Sequence, residues 1–141
     1  MTQEKKTFQL LTSKDVCQIY ELLLEDKLVS FQLNSESIEK VDTIVANINA
    51  TYFNVATYST PEEKAVAYLY FIIKDHPFID GNKRTAVLTF RVACRLNELI
   101  ASKEISLDSL AVYIEKTQEQ DHHFVIRAIA MLLFDKLSEI R

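Results

Sequence analysis

Apolar residues recur at helical spacing along most of the chain. Val16, Ile19, Tyr20, Leu23 and Leu24 lie on one face and predict a helix running to about Lys27. Thr12-Ser13-Lys14-Asp15 in front of it reads as a capping box in its acidic form. Residues 1–11 read as a short extended arm, with Phe8, Leu10 and Leu11 available for packing. A second helix opens between Asn34 and Glu36 and carries the stripe Ile38, Val41, Ile44, Val45 and Ile48. The clearest helix start is Thr60-Pro61-Glu62-Glu63, with Thr at the N-cap, Pro at N1 and Glu at N3. This third helix should run to about Asp75. Its apolar residues cover nearly the whole circumference between 65 and 73, so it should be central and buried, with Tyr68, Tyr70 and Phe71 in the core. Asn82 is placed to cap a fourth helix ending near Ile100, with Ala86, Phe90, Ala93, Cys94 and Asn97 facing the third. Ser106 should cap a shorter helix to about Thr117, and a last one should run from Asp121 towards Glu139.

The helical pattern breaks between Asn49 and Ser59. Thr51-Tyr52-Phe53-Asn54-Val55-Ala56-Thr57-Tyr58 is rich in β-branched and aromatic residues and lacks 3.6-residue spacing, which fits a surface loop or an extended flap. With one Gly and two Pro in 141 residues, little material is left for other hairpins. An all-α bundle forming a single domain over 1–141 is expected, with a short extended flap before the central helix pair.

Charge narrows the function. The net charge of −4 argues against general nucleic-acid binding. Residues 74–95 differ, holding five cations and two anions, so positive charge concentrates there. Cys17 and Cys94 lie in apolar helical patterns and are expected as buried thiols of a reducing, cytoplasmic compartment. The start Met1-Thr2-Gln3-Glu4-Lys5-Lys6 is not followed by the apolar stretch of a secretory signal. The longest apolar run, residues 65–73, is too short to span a bilayer, so no membrane association is expected. His122 and His123 are adjacent and should point in different directions, as surface residues rather than a metal pair.

The chemistry concentrates in His76-Pro77-Phe78-Ile79-Asp80-Gly81-Asn82-Lys83-Arg84. Pro77 excludes His76 from the α region, so the third helix must stop there. His76 then sits at a helix C-terminus, where the dipole favours the imidazolium and strengthens the base. Phe78 and Ile79 are expected to anchor the loop in the core. Asp80 offers the oxygen ligand that Mg²⁺ prefers. Gly81, the only glycine, stands where the loop must turn back into a helix. Lys83 and Arg84 fall in the first turn of that helix, where cations oppose the macrodipole, an arrangement that suits a bound anion such as phosphate.

This segment resembles the signature of the Fic/Doc family, commonly His-Pro-Phe-x-Asp/Glu-Gly-Asn followed by Gly or Lys and then Arg. The resemblance implies transfer from ATP to a hydroxyl of a target protein. His76 would be the base and Asp80 the Mg²⁺ ligand, with Gly81, Asn82, Lys83 and Arg84 binding phosphate. It also implies that the upstream flap, here Tyr52, Phe53, Asn54 and Val55, docks the target backbone. Members that transfer AMP usually carry Gly where this chain has Lys83 and a second Arg where it has Val87. Lys83-Arg84-Thr85-Ala86 looks instead like the Doc (death-on-curing) toxins, which phosphorylate a translation factor such as elongation factor Tu. Pro77 and Gly81 are the Fic-type choices, which keeps AMP transfer as the alternative. A catalytically idle partner-binding module is a third reading. Self-inhibited members carry Ser/Thr-x-x-x-Glu followed by Gly or Asn. Ser35…Glu39 and Ser59…Glu63 match in part, but Lys40 and Lys64 follow them, which suggests restraint by a separate antitoxin protein.

Overall fold

The computed structural model describes residues 7–134. Among them are six α-helices and one two-stranded hairpin: α1 Ser13–Glu25, α2 Ser35–Ile48, β1 Thr51–Tyr52, β2 Val55–Ala56, α3 Pro61–Asp75, α4 Asn82–Leu96, α5 Leu107–Lys116 and α6 His122–Leu133. This is the all-α architecture that the periodicity predicts, with its flap ahead of the central pair.

α3 is the axis of the bundle. Ala65, Val66, Ala67, Tyr68, Leu69, Tyr70, Ile72 and Ile73 have at most 1% of their surface exposed. A helix apolar on every side can be satisfied only by neighbours on every side. α2, α4, α5 and α6 supply them, while α1 packs beside α2 and α4. Ala86, Phe90, Ala93 and Cys94 of α4 are buried, as expected. Cys17 and Cys94 are buried free thiols, and burial pushes the Cys94 thiol up to about 12, which keeps it protonated at neutral pH.

Two polar clips fasten the N-terminal arm. The Tyr68 hydroxyl accepts from Leu11 N–H at 3.1 Å and donates to Leu11 C=O at 2.9 Å. The Asn97 amide bonds Gln9 on both its N–H and C=O. Leu11 is buried, but Leu10 stays 47% exposed. Residues 1–6 of the expected arm lie outside the described residues.

Some helix ends differ from the spacing. α1 stops at Glu25, with Lys27 at φ +59° and Leu28 N–H bonded to Leu23 C=O at 2.8 Å. α4 stops at Leu96 rather than near Ile100. There Glu98 takes φ +55° and Leu99 N–H bonds Cys94 C=O at 2.9 Å. Both are left-handed terminations of the Schellman kind, made without the glycine or asparagine that usually announces them. Ile38, placed on the inner stripe of α2, is 41% exposed. The expected course of the last helix from 135 to Glu139 falls outside the described residues. Among those described, no helix is long and apolar enough to cross a membrane.

The buried phenols give the fold a pH signature. Burial, then the neighbouring Tyr70 and Glu63, push Tyr58 from 10.0 to about 12. The folded state therefore holds this proton after the unfolded chain has released it, so stability is intact below pH 10 and falls as pH rises towards 12. Urea unfolding at pH 9 and pH 11.5 should show a loss of which Tyr58 carries about 2 kcal/mol, and Tyr58→Phe should lose correspondingly less.

Candidate active site

The loop between α3 and α4 is held by its own side chains. α3 ends at His76, which caps it in the left-handed region at φ +48°, ψ +59°. A left-handed non-glycine residue costs about 1–3 kcal/mol, and such strain collects at functional sites. The His76 ring closes back on its own helix, Nδ1 lying 2.5 Å from Ile73 C=O. A carbonyl can only accept, so Nδ1 carries the hydrogen, and in the neutral ring Nε2 then keeps its lone pair. His76 is exposed and lines a groove of about 490 Å³.

Phe78 anchors the loop as expected, 4% exposed and stacked on Tyr20 with ring centroids 4.3 Å apart. Ile79 does not share that role. It is 63% exposed, because the chain turns outward after Phe78 and leaves it on the groove. Asp80 is also exposed on the groove. Gly81 turns through φ +78° and is itself the N-cap of α4.

Asn82 is therefore the first helical residue, not the expected cap. Its side chain is buried and turned back into the loop, Oδ1 accepting from Phe78 N–H at 2.9 Å and Nδ2 donating to Phe78 C=O at 2.8 Å. It closes the loop instead of reaching a ligand. The physical reason is Gly81: a side chain at N1 faces away from the N3 amide that a cap must reach.

The consequence for α4 is an open end. Thr12, Asn34, Thr60, Ser106 and Asp121 each accept from a first-turn amide of their helix. Gly81 has no side chain to offer, so the first turn of α4 keeps its amides for an anion. The two cations of that turn already have partners. Lys83 Nζ lies 3.2 Å from Glu115 Oε2, and Arg84 Nη1 donates to Leu28 C=O at 2.8 Å. Like-signed charge at a helix N-terminus is unfavourable alone, and a carboxylate and a carbonyl dipole offset it. Both residues of the Lys83–Glu115 pair are more than a third exposed, so the pair is weak and an anion can displace it at small cost.

Glu115, on α5, was not visible in the sequence because its partner is 32 positions away. It lines the groove together with His76, residues 79–84 and Leu28. A larger groove of about 660 Å³ along α1 holds only Glu21 and Glu25 as ionisable groups, neither of them beside a base or cation of the loop. Among the described residues there is no group of three or more His, Cys, Asp or Glu able to cage a metal. A single exposed carboxylate such as Asp80 nonetheless fits Mg²⁺ that arrives with phosphate oxygens.

The flap forms as an antiparallel pair, Thr51 opposite Ala56 and Tyr52 opposite Val55. Phe53 and Asn54 bridge it at φ +52° and +63°, the signs of a type I′ turn. Asn tolerates that region and Phe does not, yet Phe53 is fully exposed. Tyr52 and Val55 are 65% and 66% exposed. None of the four lines the groove. The flap's root is tied to the bundle by Tyr58, which is 4% exposed and packs edge-on against Phe71 of α3 and in a stack on His123. His122 bonds the Tyr70 hydroxyl, so the two exposed histidines do face separate partners.

A family model described as the Fic/DOC family matches residues 10–94, from just before α1 into α4. No curated protein and no solved structure matches the chain.

A Cβ built on Gly81 would lie 2.2 Å from Val29 Cγ1. Gly81→Ala should therefore cost roughly 2–4 kcal/mol in thermal or urea unfolding. In a Val29→Ala background, which removes Cγ1, the same Gly81→Ala change should cost only about 1 kcal/mol relative to Val29→Ala alone, the positive-φ cost. Glu115→Gln should change stability by less than about 1 kcal/mol in the same assay.

Proposed function

The chain belongs to the Fic/DOC family, whose members transfer nucleotidyl or phosphoryl groups to proteins, and from that premise we propose a Doc-like kinase acting on a protein hydroxyl. The observation that carries the reading is the pairing of His76, its Nε2 free, with the uncapped first turn of α4 on one groove. A base and an anion site in contact with the same space suit phosphoryl transfer, which is mostly positioning and electrostatics.

In this reading His76 Nε2 takes the proton of a Ser or Thr hydroxyl on the target. The freed oxygen pair attacks the γ-phosphorus of ATP, the bond from phosphorus to the bridging oxygen breaks, and ADP leaves with that electron pair. The amides of Gly81 and Asn82, with Lys83 and Arg84, stabilise the charge that builds on the phosphate oxygens. Lys83 exchanges Glu115 for phosphate. Arg84 keeps Nη1 on Leu28 C=O and has its other N–H groups to offer. Asp80 would hold Mg²⁺ arriving with the nucleotide, and the ion would supply charge neutralisation there. The exposed Tyr52, Phe53, Asn54 and Val55 would dock the target by adding its backbone to the hairpin.

Position 87 supports phosphoryl transfer from the γ position over AMP transfer. Val87 is partly buried against the core, so the turn after Arg84 presents no second cation to grip the far end of a triphosphate. Restraint would come from a separate antitoxin protein. Glu63, which ends one of the partial inhibitory segments, is paired with Arg127 and bonded to Ser59 instead of entering the groove.

Incubation with Mg²⁺, a cell extract and ATP labelled separately at the α and γ positions tests the reading. Label should reach protein from the γ position. Label from the α position would instead establish AMP transfer, and label from neither would favour a catalytically idle binding module. His76→Ala should reduce transfer at least 100-fold while leaving ATP binding within about threefold.

A further inference from the structure

A helix on the outside of a bundle needs one apolar face, and α6 has two. The inner one, with Val125, Ile126, Ile129 and Leu133, is buried in the core. On the outer one Phe124, Met131 and Leu132 are 64%, 65% and 55% exposed, with Ala128 half-buried among them. The loop that carries Ile100, 85% exposed, is fastened to the C-terminal end of this helix, Ser102 N–H donating to Leu133 C=O at 2.7 Å.

Charge is scarce on that face. Arg127 is the one Arg, Lys, Asp or Glu within α6, and its Nε lies 3.5 Å from Glu63 Oε1 of α3. The exposed faces of α1 and α2 instead carry Glu21, Glu25, Glu36, Glu39 and Lys40. Apolar side chains grouped in water on one helix face mark a surface that meets another surface.

The pattern also says what meets it. Phe124 and Leu132 stand four positions either side of Ala128, so the three form one ridge with a small residue at its middle. Two such helices crossing antiparallel at Ala128 set Phe124 of each copy against Leu132 of the other. Alanine at the crossing lets the backbones approach. A ridge with large residues at equal distances from a small centre is complementary to itself, as a two-fold interface requires. A membrane surface suits it less, because α6 has a single arginine and the chain carries −4.

We propose that the outer face of α6 is a homodimer interface, on which a second copy of this chain packs its own α6 antiparallel across Ala128. Phe124, Ala128, Met131, Leu132 and Ile100 expose roughly 500 Å² per copy, so pairing removes roughly 1,000 Å² from water, the lower end for a specific interface. The dimer is therefore weak, with a dissociation constant in the micromolar range. None of the five residues lines the groove of His76, so pairing leaves that groove open in both copies. All of them lie beyond residue 94, where the matched family segment ends, so the interface is a feature of the later helices.

Sedimentation velocity of the full chain from about 1 to 200 µM tests the proposal. The weight-average mass should rise towards twice the chain mass across that range. Phe124→Lys and Leu132→Glu should each weaken self-association at least about tenfold. Both positions are more than half exposed, and circular dichroism melting checks that the variants fold. Mixing the two variants should restore dimers. The antiparallel crossing brings the introduced charges of opposite sign together at one contact and keeps Phe124 on Leu132 at the other. Ile38→Lys, on the exposed side of α2, should leave association unchanged. The proposal is overturned if the chain stays monomeric at about 200 µM, or if either α6 variant leaves the dimer intact. It is also overturned if Ile38→Lys weakens the dimer as much, or if the mixture associates no better than its components.

Discussion

Val29 Cγ1 occupies the space where any residue but glycine at position 81 would carry its Cβ, and the rest of the groove follows from that approach. The absent side chain admits the α1–α2 connection, which becomes part of the groove lining. It also permits the positive φ by which the loop enters α4. Because the entry residue has no side chain, the helix begins uncapped, and its amides remain available for an anion. One position therefore fixes a packing contact, a backbone turn and an electrostatic site together. The pair of hydrogen bonds between the Asn82 side chain and the Phe78 backbone then closes the loop between them.

Strain and charge are offset locally. His76 and Phe53 both occupy the left-handed region, one at the end of α3 and the other at the tip of the hairpin. In His76 a bond from the ring to Ile73 C=O compensates and sets the tautomer. Phe53 has no burial to compensate it, and this leaves an aromatic ring held out to solvent on a short hairpin. At the start of α4 the unfavourable cations meet Glu115 and the Leu28 carbonyl. These contacts keep the first turn in register without neutralising it.

The two sides of the groove have different origins. The matched family segment ends at residue 94, so it contains His76, the loop and the α1–α2 connection. Glu115 comes from α5, beyond that segment, and is brought to Lys83 because α5 packs on both α3 and α4. One later helix thus lines a groove whose other lining residues lie in the earlier part of the chain.

Local free energies write themselves into neighbouring residues, and those features were legible in the sequence. Thr12, Asn34, Thr60, Ser106 and Asp121 announced five helix starts, and the all-round apolar pattern of residues 65–73 announced the buried axis. Pro77 announced the stop at His76, and the unbroken signature announced the family. The ends of α1 and α4 were not legible, since Lys27 and Glu98 take a conformation their side chains do not favour. Nor was the role of Asn82: at N1 its amide cannot reach the cap position, and only the folded loop presents the Phe78 backbone to it. Ile79 looked like core and faces the groove, while Glu115, Leu28 and Val29 gave no signal at all. Contacts between residues 32, 52 or 56 positions apart depend on how helices pack, and no local propensity encodes that distance. The sequence by itself determined the helices and the bend that follows His76. The tertiary structure decided what stands around them.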